Sequence, residues 1–214
     1  MPERWEAPSF STDRLKALTD GVIAIVITLL VLELSIPVIK ELPDSEGLWP
    51  EVKHLWREYL AYVVSFFMVG LLWLYHHNVF RHIRAADGRL LLLNMFYLLA
   101  VSIMPFSSAL VAKNSDERLA AIIYGGSLFL AAAAMAAIFA YASFKRRLVA
   151  EDMTDAFIQR ENITAVGVTL VLAVAALLGI IAAWITYLIL GVVVLFYWVI
   201  IALEREGVSA RRRS

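Results

Sequence analysis

Cysteine does not occur in this chain of 214 residues. Its absence removes disulfide frameworks, thiolate metal sites and cysteine nucleophiles together, and leaves the redox compartment unreadable. Charge is also scarce: Asp, Glu, Lys and Arg make up 18% of the residues and their formal sum is zero. A nucleic-acid footprint needs an excess of positive charge on one face, so no nucleic-acid partner is expected. No Walker lysine loop, no Gly-x-Ser-x-Gly elbow and no paired intramembrane carboxylates occur, which leaves nucleotide-driven pumping and catalysis unsupported. The chain therefore reads as no enzyme, with no catalytic residue and no cofactor. The Thr-Val-Gly-Tyr-Gly filter of ordinary potassium channels is missing too, and Tyr124-Gly125-Gly126 is too short to stand for it. Linkers rich in Gly or Ser and internal repeats are likewise absent, so residues 1–214 read as a single domain.

What remains is apolar. Hydrophobic residues are 61% of the sequence, more than a soluble globule of this size hides in one core, so lipid is the expected solvent. The first apolar run, 17–36, is long enough to span and is followed by no small-x-small cleavage site before Pro37, which argues against a signal peptide. A bilayer core about 30 Å thick needs roughly 20 residues of helix. Runs of that length with few charges lie at 17–36, 59–80, 90–111, 119–142, 163–183 and 185–203. The predicted fold class is thus an all-α membrane protein with six transmembrane helices. Only Gly179, Trp184 and Thr186-Tyr187 hint at a turn between the last two.

Lysine and arginine set the orientation, because short cytoplasmic loops keep positive charge. Of the 19 such residues, all but Lys40, Lys53, Arg57, Lys113 and Arg118 fall at the termini or in the second and fourth links. Both termini are expected in the cytoplasm and the chain in the plasma membrane. The longest link, Pro37 to Glu58, carries Pro43, Gly47 and Pro50 and an amphipathic stretch at Val52–Trp56. It is expected at the interface, with Trp49 and Trp56 as anchors.

Ionisable groups inside spans are costly and point to function. They are few: Asp20 and Glu33 in the first span, His76, His77 and Asn78 at the end of the second, and Asn94 in the third. Arg14 and Asp20 stand six apart, so they do not meet on one helix face. Asp20 has Lys16 within a turn, or His76 and Asn94 if those helices pack beside it; the alternative is charges snorkelling at the interface. His76 and His77 diverge by about 100° on a helix, and no carboxylate stands at ligand spacing near them or His82, so no metal site is expected. Imidazole leaves a structural or proton-sensing role open. Thr28 has two equal readings: a bond back to the Ala24 carbonyl, or a hydroxyl facing an aqueous lumen.

The stretch from Arg14 to Asp20, followed by an apolar helix, resembles the signature of the transmembrane protein 175 family of potassium channels, in which arginine and three residues precede Phe-Ser-Asp. Leu18 stands here for the phenylalanine and Thr19 for the serine. Trp73, His76, Phe80, Asn94 and Pro105 also match that pattern. The resemblance implies a bacterial homotetramer in the lipid bilayer, its pore lined by the first helix of each subunit. It implies a hydrophobic gate at Ile25 with further layers at Leu29 and Leu32, and Thr28 as the residue that favours potassium over sodium. Arg14 and Asp20 would join a structural network with Trp73, His76 and Asn94. The expected function is a potassium-permeable cation channel, with potassium as the permeant species, gated without a carbonyl filter. A proton-coupled secondary transporter or proton pathway is the rival, motivated by Asp20, His76 and His77, and a scaffold without transport is the third reading.

Overall fold

The computed structural model describes residues 11–36 and 48–211. Residues 37–47, which hold half of the expected interfacial link, and the basic residues Arg4, Arg212 and Arg213 lie outside them. Among the described residues eight α-helices follow in order: α1 (Thr12–Leu32), α2 (Leu48–His54), α3 (Trp56–Arg81), α4 (Gly88–Ser102), α5 (Met104–Lys113), α6 (Arg118–Ser143), α7 (Asp155–Leu178) and α8 (Ala183–Arg211). Six stretches are long and apolar enough to cross a membrane, with α4 and α5 forming one of them. The protein is a multi-pass, all-α membrane protein.

Several boundaries differ from those expected. The first span begins at Thr12, not 17, because Ser11 supplies an extended N-cap and Asp13 favours the first turn. It stops at Leu32, not 36: Glu33 and Leu34 close it with bonds from their N–H groups to the carbonyls of Leu30 and Val31, and the Ser35 N–H donates to Glu58 Oε2 at 2.9 Å. The fifth span begins at Asp155, where Thr154 caps it through a bond from the Phe157 N–H, eight residues before the apolar run. The turn to α8 lies at residues 179–182, at Gly179 among the three hints, and not at the 183/185 boundary or at Thr186. Thr186 instead donates to the Ala175 carbonyl at 2.7 Å, tying α8 back to α7. The third span breaks at Ile103, since Pro105 has no N–H to give and crowds the carbonyl one turn before it. Of the expected interfacial stretch, α2 is helical and Trp49 is exposed beside the Lys53 ammonium.

Two ends of the bundle are defined by cross-links. At the α2 end, Arg57 donates to Ser115 and Asp116 in the α5–α6 link. At the opposite end, the loops after α3 and α6 pair as two short strands would, with an Ile83–Val149 bridge and the Arg84 N–H donating to the Leu148 carbonyl at 2.8 Å. Asp87 is the hub there. Its carboxylate accepts from the Arg89 and Leu90 N–H groups that begin α4 and from the Tyr141 hydroxyl at 2.6 Å, with Arg147 at 3.6 Å. Desolvation works to raise its pKa, but the Tyr141 and backbone hydrogen bonds and the Arg147 charge outweigh it and hold the carboxyl below its ordinary value. A depressed carboxylate contributes stability above the ordinary aspartate value of about 4 and loses it as pH falls through the lowered value. Asp87→Asn keeps a capping oxygen but not the charge, so its melting temperature should lose part of the wild-type acid dependence. Parallel acid limbs in the two melting curves would refute this.

The core is centred on α6, which packs against α4, α5, α7 and α8. Its closest approach is at Gly125, where an added Cβ would lie 2.9 Å from the Ala176 backbone of α7. Small residues at such crossings let helices meet closely in lipid, where apolar burial alone does not drive association. Gly125→Ala should therefore force α6 and α7 apart and cost about 1–3 kcal/mol, measured as a lower unfolding temperature in detergent. No shift would mean the contact relaxes freely.

Candidate functional site

Helix α1 has two unlike faces. Leu15, Thr19, Ile23, Val26 and Leu30 are buried against the rest of the chain, chiefly α3, α4 and α5. They recur at spacings of three and four, as one helical stripe must. The opposite stripe is left bare: Ile25 is 59% exposed, Leu29 41% and Leu32 74%, with Arg14, Leu18, Gly21 and Thr28 on the same side. The face on which the resemblance puts the pore is thus the one that its own chain does not cover.

Polar contacts fix the covered face near its start. The Trp73 indole Nε1–H donates to Asp20 Oδ1 at 2.8 Å. One step deeper, Asn94 Nδ2 donates to the Thr19 hydroxyl at 3.2 Å, and Asn94 Oδ1 lies 3.2 Å from His76 Nε2, which carries the proton in this arrangement. Thr19, Asn94 and His76 are all buried. The imidazole is sandwiched between Phe80, 4.1 Å away centre to centre, and Tyr97 at 5.4 Å, while the Tyr97 hydroxyl donates to the Leu72 carbonyl. Three spans thereby meet through satisfied polar groups, which is what buried polar atoms require.

Trp73, His76, Asn94 and Asp20 are brought together as the sequence suggests, but the pairings differ. Asp20 bonds to Trp73, not to His76 or Asn94, because those two point into the interior while Asp20 sits on the exposed flank. Lys16 does not pair with Asp20; its ammonium lies 3.5 Å from Asp13, one turn the other way. Arg14 is exposed and makes no ion pair among the described residues. Thr28 donates to the Ile25 carbonyl at 2.8 Å rather than to Ala24, and remains exposed. The hydroxyl thus bonds back to its own helix, to a carbonyl one residue nearer than Ala24, on a face that this chain leaves exposed.

Thr19 is the residue that sequence reasoning passed over. Read as a mild replacement for serine, it is the α1 side of the buried chain. Ala17 and Gly21, two positions to either side, are exposed, which puts Thr19 on the inward stripe, a placement that packing and not the sequence decides. His77 stays exposed beside Trp73, with ring centres 5.7 Å apart. His82 donates from Nδ1 to the Asn78 carbonyl at 2.8 Å and rests on Phe157. Among the described residues no cluster of His, Asp and Glu is arranged to hold a metal.

The family described as endosomal/lysosomal potassium channel TMEM175 matches residues 14–105, from the α1 arginine to the α5 proline. A potassium channel of Chamaesiphon minutus is 35% identical over 150 residues, covering 68% of this chain and 73% of that protein. A potassium channel of Streptomyces collinus is 38% identical over 127 residues, and the match spans 59% of its length. The zebrafish endosomal/lysosomal proton channel TMEM175 is 37% identical over 144 residues, only 28% of that longer protein. The crystal structure of a lysosomal potassium-selective channel TMEM175 homolog from Chamaesiphon minutus superposes with a TM-score of 0.77 at 28% identity, covering 88% of this chain and 96% of that one. The chain belongs to the TMEM175 family.

Proposed function

We propose that this protein is a potassium-permeable cation channel, assembled as a homotetramer whose pore is lined by the bare face of α1. The observation that carries the reading is the split of α1 into a face bracketed by Asp20–Trp73 and Thr19–Asn94–His76 and a face left open at Ile25, Thr28, Leu29 and Leu32. Copies of that face around a common axis would form stacked apolar rings. A narrow apolar ring excludes water and stops ions without any charge, and a modest widening rewets it. Ile25 is the gate in this reading, with Leu29 and Leu32 as further layers. Thr28 contributes an oxygen with free lone pairs next to the gate, the one polar atom there that offers an ion partial replacement of its hydration shell. Basic residues gathered at the termini and second link support a plasma-membrane protein with both ends in the cytoplasm.

The names of the vertebrate relatives make protons a second permeant to consider. A relay through His76 is disfavoured, because that ring is 1% exposed and closed in by Phe80 and Tyr97, away from the open face of α1. Protons would instead follow water in the pore. The test is flux of potassium and sodium into proteoliposomes under imposed gradients, beside empty vesicles. Potassium flux exceeding sodium flux supports the proposal; flux no greater than in empty vesicles overturns it, and saturable flux coupled to protons favours the transporter.

A further inference from the structure

Away from α1, a cleft of about 720 Å³ opens between α3, α6 and α8 at the α2 end of the bundle. Its chemistry changes with depth. At the mouth, Arg57 bonds to Ser115 and Asp116 at 3.0 and 3.2 Å, and both charged side chains remain largely exposed. Tyr187 comes next, its backbone about 6 Å along α8 from the start of that helix at the rise of a helix; the atom that matters is its hydroxyl. It is buried and has no hydrogen-bond partner among the described residues. The deeper hydroxyls of Ser65, Ser108 and Tyr124 bond to one another and leave Tyr187 alone. Below, Val64, Phe67, Val194 and Leu195 line a mainly apolar trough reaching about 15 Å down α3, with Ser65 in its wall.

A charged pair, then one unfilled hydrogen-bond donor, then hydrocarbon is the order of groups along a phospholipid: headgroup, ester, acyl chain. We propose that this cleft holds one zwitterionic glycerophospholipid from the leaflet on the α2 side, its phosphate on Arg57, its ammonium on Asp116, an ester carbonyl on Tyr187 and an acyl chain in the trough. Charge selects this occupant: the ion pair at the mouth is largely exposed, and a zwitterion can engage both of its members, phosphate on the guanidinium and ammonium on the carboxylate, which an uncharged apolar guest cannot do. The cleft suits one chain by size as well, falling within the roughly 300–1,000 Å³ of sites that enclose a small ligand. Gly191 lines the wall, and a Cβ there would meet nothing within 4 Å, so the trough has room that the chain itself does not fill. The proposal rests on membrane embedding and not on conduction.

The test is native mass spectrometry of the purified full chain titrated with dioleoyl phosphatidylethanolamine, and separately with dioleoylglycerol, which lacks the headgroup. Wild type should take up one phosphatidylethanolamine per chain ahead of weaker annular binding. Gly191→Leu should fill the trough and lower that affinity about tenfold or more, whereas Gly126→Leu, outside the cleft and equally unobstructed, should not. Arg57→Gln at the exposed mouth removes one charge-assisted bond to phosphate, weakening phosphatidylethanolamine about tenfold and leaving dioleoylglycerol unchanged. Equal binding by wild type, Gly191→Leu and Arg57→Gln would overturn the proposal, as would dioleoylglycerol binding wild type as tightly as phosphatidylethanolamine. A change of oligomeric state in Gly191→Leu would overturn it too, by showing that the cleft is covered by a second copy.

Discussion

Ile25→Asn should raise potassium flux in proteoliposomes about tenfold or more over wild type. The side chain projects from the uncovered face of α1, so the change meets no packed neighbour in its own chain and fold stability should hardly move. If Ile25 forms the narrowest ring of the pore, the barrier to an ion there is the cost of filling an apolar constriction with water. An amide in each subunit supplies donors and acceptors where there were none, and lowering the barrier by only about 1.4 kcal/mol already gives tenfold. The same substitution should erode the preference for potassium over sodium, because a wet gate passes hydrated ions of either kind. Equal flux in wild type and variant, with both well above empty vesicles, would move the gate elsewhere. Valine at position 25 serves as the control: it keeps the ring apolar and should leave flux within about twofold to threefold of wild type.

Asn94→Leu should destabilise the protein by about 2–5 kcal/mol, the largest loss expected of any single polar position here. Leucine matches asparagine in size but strands the Thr19 hydroxyl and the His76 Nε2–H in a buried site. Each buried group left without a partner costs about 1–3 kcal/mol. Adding His76→Phe should recover part of the loss, because an apolar ring between Phe80 and Tyr97 removes one of the stranded donors while keeping the stack. Unfolding temperatures of the two single variants, the double variant and wild type give the coupling directly. An Asn94→Leu protein as stable as wild type would show that the chain of bonds does not hold α1 in place.

These two experiments separate the roles of the two faces of α1. The first should change conduction and spare the fold; the second should change the fold first. They also mark where sequence reading succeeds. Asp20, His76 and Asn94 are legible because polar groups are expensive in lipid and few are present, so each must find a partner, whereas Trp73 enters only through the family resemblance. Which partner each finds is not legible. Asp20 could accept from Lys16, His76 or Asn94 by spacing alone, and accepts from Trp73 only because α3 presents that indole to the flank of α1. Thr28 shows the same limit on a smaller scale, since bonds three and four residues back are both within reach of its hydroxyl and the rotamer decides between them.

The sequence by itself determined the solvent, the number of spans and the division of basic residues between the two ends, because hydrogen-bond satisfaction in a bilayer admits only long apolar helices. The break of the third span near Pro105, absent from the unbroken run expected over 90–111, has its local cause in that residue's missing N–H. Tertiary structure decided the rest. An all-apolar helix has no preferred face of its own, so nothing in the composition of α1 says that Ile23 goes inward and Ile25 stays bare. That choice belongs to the packing of α3, α4 and α5 and to one asparagine that bonds inward to both Thr19 and His76. The cleft with its unpaired Tyr187 is of the same kind, a space between three helices distant in sequence, and only their arrangement creates it.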